Sequence, residues 1–452
     1  MSPRVPQPLD QSNLGATVRL DEIIDARPLG RFHYLVLMLS GAVMFLDGFD
    51  TQAISFAAPA IAREWDLPVA VLGPILSAAI VGLMVGYLVL APLANRAGHR
   101  RMIIWCTAVF GVLSLVTAIA GEPVQLILLR FLTGAGLGAI IPSLVSLTSE
   151  FAPKRRRSSL VMFIYCFYAL GFVAAGLVSG MVIPLLGWRT LFVIGGVVPL
   201  LLLVLLVRYL PESPSFLLGH PSGMARAHAT LRRLDPKLSP RASIVVHDDK
   251  PVIETTRSLV VELFRRNWRA STLLLWIAIA ANLAAFYAIQ SWLPTILVRL
   301  GQPPALVIGA TILTTIGGII AATVIGPCMD RISPFRTLGS VYVLGAVCVA
   351  ILGMVVAGGP VLLLVVAFLS GACVTGGQMS VIALATVLYP PRMRSMGVGW
   401  ALGIGRVGGI AGPLLVGIAL GAGMGAGEVF LALAVVLVAA GASVFTLGHR
   451  RR

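Results

Sequence analysis

Apolar positions along this chain neither alternate nor recur on one helical face. They run almost unbroken for 20 residues or more, then break at a few polar residues and begin again. A helix rises about 1.5 Å per residue, so a run of about 20 apolar residues crosses about 30 Å of hydrocarbon. Twelve runs have that reach: residues 34–60, 69–93, 102–120, 123–149, 159–184, 190–210, 271–298, 305–328, 337–357, 360–388, 397–420 and 428–447. The pattern predicts an all-α polytopic membrane protein with twelve transmembrane helices in two six-helix halves, 34–210 and 271–447. A tail (1–33), a central polar loop (211–270) and a short end (448–452) complete it. Six spans, a long polar loop and six more spans point to a duplicated transporter rather than a channel or receptor.

Composition agrees, with 58% hydrophobic and 12% charged residues in 452, far from ordinary soluble usage. Residues 1–33 carry prolines and Asp10, Asp21, Glu22 and Asp25, which makes them a tail rather than a cleaved signal peptide. All five cysteines fall inside spans and none forms a C-x-x-C pair, so neither a disulfide framework nor a zinc site is expected. His33, His99, His220, His228, His247 and His449 fall in tails or loops, which argues against intramembrane haem. No nucleophile–base pair or phosphate loop is evident, and no cofactor, metal or enzymatic activity is expected.

The net charge of +16 changes the picture only through its placement. Basic residues collect in alternate loops: Arg96, Arg100 and Arg101; Lys154 to Arg157; the 211–270 segment; Arg331 and Arg336; Arg392 and Arg394; Arg450 to Arg452. The loops between hold only Arg63, Arg189 and Arg299. By the positive-inside rule both termini and the central loop are expected to be cytoplasmic. A basic face in 211–270 for anionic lipid or RNA is the lesser reading, and no nucleic-acid partner is expected.

What remains inside the spans is a short set: Asp47 and Asp50 in the first, Arg130 in the fourth, Arg406 in the eleventh. Glu150 and Asp330 lie at cytoplasmic helix ends. A charged side chain at a helix centre costs about 3 kcal/mol on insertion scales, and such residues usually mark a substrate or proton path. Asp47 and Asp50, three apart, share one helix face. The alternative is a set of buried ion pairs that only fixes packing.

Sequence motifs narrow the class. After the second span the chain reads Ala91 through Arg101, "APLANRAGHRR", and after the eighth "GPCMDR" from Gly326 to Arg331. Both resemble the loop signature of the major facilitator superfamily, with Ala91 in place of its glycine and Asn95 in place of its aspartate. Asn95 can still cap a helix but cannot form a charged latch; Gly326 and Asp330 keep both features. "DGFDTQ" in the first span, "RFLTGAGLGAIIPS" in the fourth, "PESPSFLL" after the sixth, "SWLPTIL" in the seventh and "YPPRMRSMGVGWALGIGRVGGIAGP" leading into the eleventh resemble the aromatic acid:proton symporters. That resemblance covers nearly the whole chain. It implies alternating-access import of a benzoate-like carboxylate with protons, using Asp47, Asp50, Arg130, Glu150, Arg394 and Arg406.

The residues support the same chemistry. Arg130 and Arg406 can offer a carboxylate a planar bidentate fork, and Asp47, Asp50 and Glu150 are candidate proton carriers. Tyr165, Phe167, Tyr168, Phe286, Tyr287 and Trp292 are candidates to stack on an aromatic ring, and Asn282, Gln290 and Gln378 to reach a ring hydroxyl. Tyr165, Tyr287, Gln290 and Trp292 are the preferred members. Asn95, Arg96, Arg100, Asp330, Arg331 and Arg394 are expected to gate the cytoplasmic end. Glycines in "GAGLGA" and in the eleventh span are expected to serve close packing, with bending of the eleventh helix as the alternative for the latter. Rival readings are a proton-coupled drug or organic-anion exporter, whose G-P-x-x-G signature is missing from the fifth span, and a non-transporting membrane sensor.

Overall fold

The computed structural model describes residues 17–25, 29–153, 155–219, 223–234, 243–245, 263–264, 268–389 and 391–450. Among the described residues, twelve helices are long and apolar enough to cross a membrane. Spans one to six are Arg31–Glu64, Val69–Val85 with its continuation, His99–Thr117, Pro123–Phe151, Arg157–Leu186 and Trp188–Tyr209. Spans seven to twelve are Arg269–Arg299, Pro304–Arg331, Pro334–Val355, Pro360–Leu388, Pro391–Gly421 and Ala426–Arg450. Each predicted run meets one of them. Several begin on proline at the first helical turn, where its missing N–H costs nothing.

Span two does not end as a plain helix. It passes through a π-helical turn, Gly86–Leu90, and a 3-10 turn, Ala91–Leu93. A four-residue helix, Ala94–Ala97, follows, and Gly98 at φ 95 caps span three. Asn95 therefore lies inside a helical turn, not at the cap position that its residue type suggested. Gly98, free of a Cβ, makes the left-handed corner instead.

Pairing between spans repeats with a period of six. Span one packs on span five as seven does on eleven; two on four as eight on ten; three on six as nine on twelve. Contacts between the halves obey the same symmetry, two with eleven and five with eight, while one meets seven. Small residues let these backbones approach. At Gly48 a Cβ would collide with the Tyr168 carbonyl, and at Gly171 with the Phe45 carbonyl, so spans one and five cross backbone to backbone. Gly134 and Gly138 do the same against span two, and Gly408 and Gly412 against span seven.

Contacts between the halves concentrate at one end. Ser77 donates to the Ile410 carbonyl at 3.3 Å, Gly73 abuts Gly417, and Gly421 abuts Ala70. Gly176 and Gly180 lie under Ile312 and Ile308, and Gln52 donates to the Gln290 carbonyl at 3.0 Å. This closed end carries the turns that follow Glu64, Leu186, Arg299 and Gly421. Toward the opposite, open end, Gly326, Gly399 and Gly403 face free space where a side chain would project.

The polar segments also hold structure that apolar runs cannot announce. Thr17–Arg19 pairs in parallel with Ser243–Val245. Leu20, Ile23 and Ile24 of the following helix are buried in one cluster with Leu231, Leu234 and Ile244, so the tail and the central loop clasp each other.

Candidate functional site

The four intramembrane charges converge near the middle of the bundle, but in two separate arrangements. Arg130 and Asp50 form a bidentate pair: Nη2 to Oδ2 at 2.9 Å and Nη1 to Oδ1 at 3.1 Å. Arg130 Nη2 also donates to the Asp50 carbonyl at 3.1 Å, and Ser114 donates to Oδ1 at 3.0 Å. Arg130 is 0% and Asp50 1% exposed, and the guanidinium sits 5.5 Å from the Phe192 ring centroid. Spans one, three, four and six are thus pinned around a pair that is neutral as a unit.

Asp47 sits one turn earlier on span one, fully buried. Thr51 donates to its Oδ1 at 3.3 Å, while Oδ2 meets no hydrogen-bond donor among the described residues. A buried polar atom left unpaired is uncommon enough to need a reason. Asp47 lies within electrostatic reach of both Asp50 and Arg406.

Arg406, from the middle of span eleven, is half-buried and has no carboxylate within ion-pairing distance among the described residues. Its partners are phenols. Nη1 donates to Tyr287 at 3.0 Å and Nη2 to Tyr87 at 3.4 Å, and the guanidinium lies 5.0 Å from the Tyr87 ring centroid. Tyr165 and Tyr168 are close enough to interact with the same charge. On the closed side, rings continue from Tyr168 to Phe172 (centroids 5.1 Å apart), Phe286 (6.4 Å) and Tyr287 (5.0 Å), an aromatic wall contributed by spans five and seven.

Other expected site residues are placed elsewhere. Gln290 accepts from Thr314 and donates to Thr315, each at 2.9 Å, tying span seven to span eight. Trp292 donates to the Pro413 carbonyl at 2.9 Å in the closed end. The amides of Asn282 and Gln378 hydrogen-bond to each other at 2.6 Å. Glu150 accepts from Ser213 Oγ at 2.5 Å and from the Ser215 N–H at 3.2 Å, which fastens the end of span four to the short helix Pro214–Leu218. Arg100 donates its Nη2 to the Val207 carbonyl at 2.6 Å. Arg96, Asp330 and Arg331 are exposed at the open end. The side chains of Asn95 and Arg394 lie outside the described residues. Among the described residues, no three His, Cys, Asp or Glu side chains are grouped to hold a metal.

Tyr87, Thr51, Ser114, Phe172 and Phe192 were not expected. Tyr87 rides on a π-helical turn, a distortion frequent at functional sites, but the sequence around it is simply apolar and gave no signal.

The Arg130–Asp50 geometry gives a direct expectation. Arg130→Gln leaves a buried carboxylate without its counter-charge, a loss of about 3–5 kcal/mol. The variant is expected to melt at a markedly lower temperature in detergent. Asp50→Asn combined with Arg130→Gln, which leaves no stranded charge, is expected to recover most of that loss. A single variant as stable as the parent would show that the pair is not coupled.

Comparison with known proteins places the chain in a family. Residues 41–359 match the Major Facilitator Superfamily model. The chain is 37% identical to the 4-hydroxybenzoate transporter PcaK of Pseudomonas putida, over 97% of each protein. It is 34% identical to a gallate transporter of Pseudomonas putida over 96% of each. Its fold is similar to the crystal structure of a D-xylose-proton symporter, with a TM-score of 0.71 at 15% identity, covering 92% of this chain and 97% of that one.

Proposed function

We propose that this chain, which belongs to the Major Facilitator Superfamily and within it to the aromatic acid transporters, imports a small aromatic carboxylate together with protons by alternating access. It is an integral membrane transporter, not an enzyme. The observation that carries the finer reading is Arg406, a half-buried guanidinium facing tyrosines, with no carboxylate paired to it among the described residues. A transported carboxylate supplies the missing anion, and the surrounding rings suit a flat aromatic body. Arg130, already neutralised by Asp50, is left as the structural cation of the N-terminal half.

Charge balance then explains coupling. Without substrate, Arg406 is the cation that compensates Asp47. When substrate takes Arg406, Asp47 is buried beside Asp50 with no positive charge to offset it, and an uncompensated buried charge is costly. Taking up a proton removes that cost, so substrate and proton load together. Their loss on the other side is coupled for the same reason.

Basic residues concentrate at the open end, which by the positive-inside rule makes that end, both termini and the central loop cytoplasmic in a bacterial inner membrane. On this reading the open end faces inward. Glu150, held by Ser213 and Ser215, anchors the cytoplasmic base rather than carrying the proton, while Arg96, Arg100, Asp330, Arg331 and Arg394 belong to the gate that closes there. Gln290 and Trp292 hold the outer end shut, leaving Tyr165 and Tyr287 with Tyr87 and Tyr168 to contact substrate.

Proteoliposomes with an imposed inward proton gradient test this reading. Radiolabelled 4-hydroxybenzoate and gallate are expected to accumulate well above protein-free vesicles and to leak away when a protonophore is added. Phenol, which has the ring but no carboxylate, is expected not to accumulate. Net movement of the acids outward against this gradient would make the protein an exporter, and binding without movement would make it a sensor.

A further inference from the structure

A charged cavity lies outside the proposed transport path. It has a volume of about 340 Å³ and forms where the start of span three, the end of span six and the helix Met224–Leu234 meet at the open end. Arg100, Arg101, Arg208, Arg226 and Arg233 line it. The one carboxylate among the described lining residues, Glu212, already accepts from the backbone N–H groups of Arg100 at 2.9 Å and Ser213 at 3.0 Å. Arg226, Thr230 and Arg233, spaced four and three residues apart, present one helical face to the cavity. Leu231 and Leu234 bury the same helix against the N-terminal segment.

Five guanidiniums gathered around an engaged carboxylate repel one another unless an anion joins them. The surroundings say what kind. Trp105, one turn beyond Arg101, is 70% exposed, and Val204, Leu205 and Val207 run apolar and exposed up span six from Arg208. Exposed Tyr209 sits between the two zones, where an interfacial aromatic ring is at home. Charge below and apolar surface above match a ligand with an anionic head and hydrocarbon tails.

We propose that this cavity binds the phosphate headgroup of an anionic phospholipid, with its acyl chains lying along Trp105, Val204 and Leu205. Arginine forks hold a phosphate bidentately. Because Arg226 and Arg233 come from the central loop and Arg101 and Arg208 from the bundle, the lipid clamps the clasped tail and loop onto the membrane face. The proposal needs only membrane insertion and is independent of the substrate and of proton coupling.

The test uses the purified full chain in detergent, titrated with short-chain phosphatidylglycerol, phosphatidylcholine or inorganic phosphate, with bound lipid read by native mass spectrometry. Arg208→Gln/Arg226→Gln/Arg233→Gln is compared with an equal-charge control, Arg155→Gln/Arg156→Gln/Arg336→Gln, at exposed positions outside the cavity. The parent and the control are expected to prefer phosphatidylglycerol over phosphatidylcholine by at least about tenfold. Each cavity arginine near an anionic lipid contributes about fivefold in affinity, so the triple variant is expected to weaken phosphatidylglycerol about a hundredfold. Arg226→Gln alone, on the exposed loop helix, is expected to cost about fivefold even if the triple variant folds poorly. Equal binding of the two lipids, or a triple variant indistinguishable from the control, overturns the proposal. Inorganic phosphate displacing the lipid at equal concentration overturns its assignment to a lipid and makes the cavity a soluble-anion site.

Discussion

Arg406→Gln is expected to abolish saturable uptake of aromatic acids while the protein still reaches the membrane and folds. Arg406 is half-buried and held by two phenol contacts, at 3.0 and 3.4 Å, rather than by an ion pair. Its loss therefore strands no carboxylate hydrogen-bonded to it, unlike the loss of Arg130. What disappears is the charge that offsets the incoming carboxylate. Removing one partner of a desolvated charge pair costs about 2–5 kcal/mol of binding, which is about thirtyfold to several thousandfold in Kd. Arg406→Lys is expected to recover only part of this, because an ammonium has no planar fork and cannot share itself between Tyr87, Tyr287 and a carboxylate. Binding measured by calorimetry in detergent checks the expectation without needing transport. A Gln variant that binds 4-hydroxybenzoate as the parent does would remove Arg406 from the site.

Asp47→Asn is expected to lose concentrative uptake altogether yet retain exchange of substrate across vesicles at equal pH. An asparagine keeps the size of the side chain and an acceptor for Thr51, now 3.3 Å away. It cannot bind or release a proton. Exchange needs only reorientation of the loaded carrier and survives; accumulation needs the proton's return and does not. Asp50→Asn is expected to behave differently, since it strands Arg130 in the bundle and lowers stability before coupling can be read. Concentrative uptake by the Asp47→Asn protein at more than a few per cent of the parent would place the proton elsewhere.

How legible was this in the chain? The spans were, because apolar runs of about 20 residues have no other common use. The repeat was legible from six runs on each side of 211–270, and the pairing pattern among the helices restates it in three dimensions. Asp47, Asp50, Arg130 and Arg406 stood out because charge inside hydrocarbon is expensive. Which charge meets which was not legible, since it depends on how spans one, four and eleven face one another. Arg130 and Arg406 read alike in sequence, yet one is closed in a bidentate pair and the other meets the hydroxyls of Tyr287 and Tyr87. Tyr87 lacked a signal because a phenol in an apolar run resembles an interfacial anchor. The Thr17–Arg19 strand lacked one because its partner lies more than 200 residues away in a polar loop.

The central claim is that substrate on Arg406 and a proton on Asp47 move together. Proton flux measured alongside uptake tests it most directly, in lightly buffered proteoliposomes with an external pH-sensitive dye, no imposed gradient and membrane potential clamped. Adding 4-hydroxybenzoate to the parent protein is expected to alkalinise the outside medium in step with uptake, and Asp47→Asn to return that signal to the level of protein-free vesicles. Saturable uptake by the parent with no alkalinisation above protein-free vesicles, or an undiminished signal from Asp47→Asn, would contradict it.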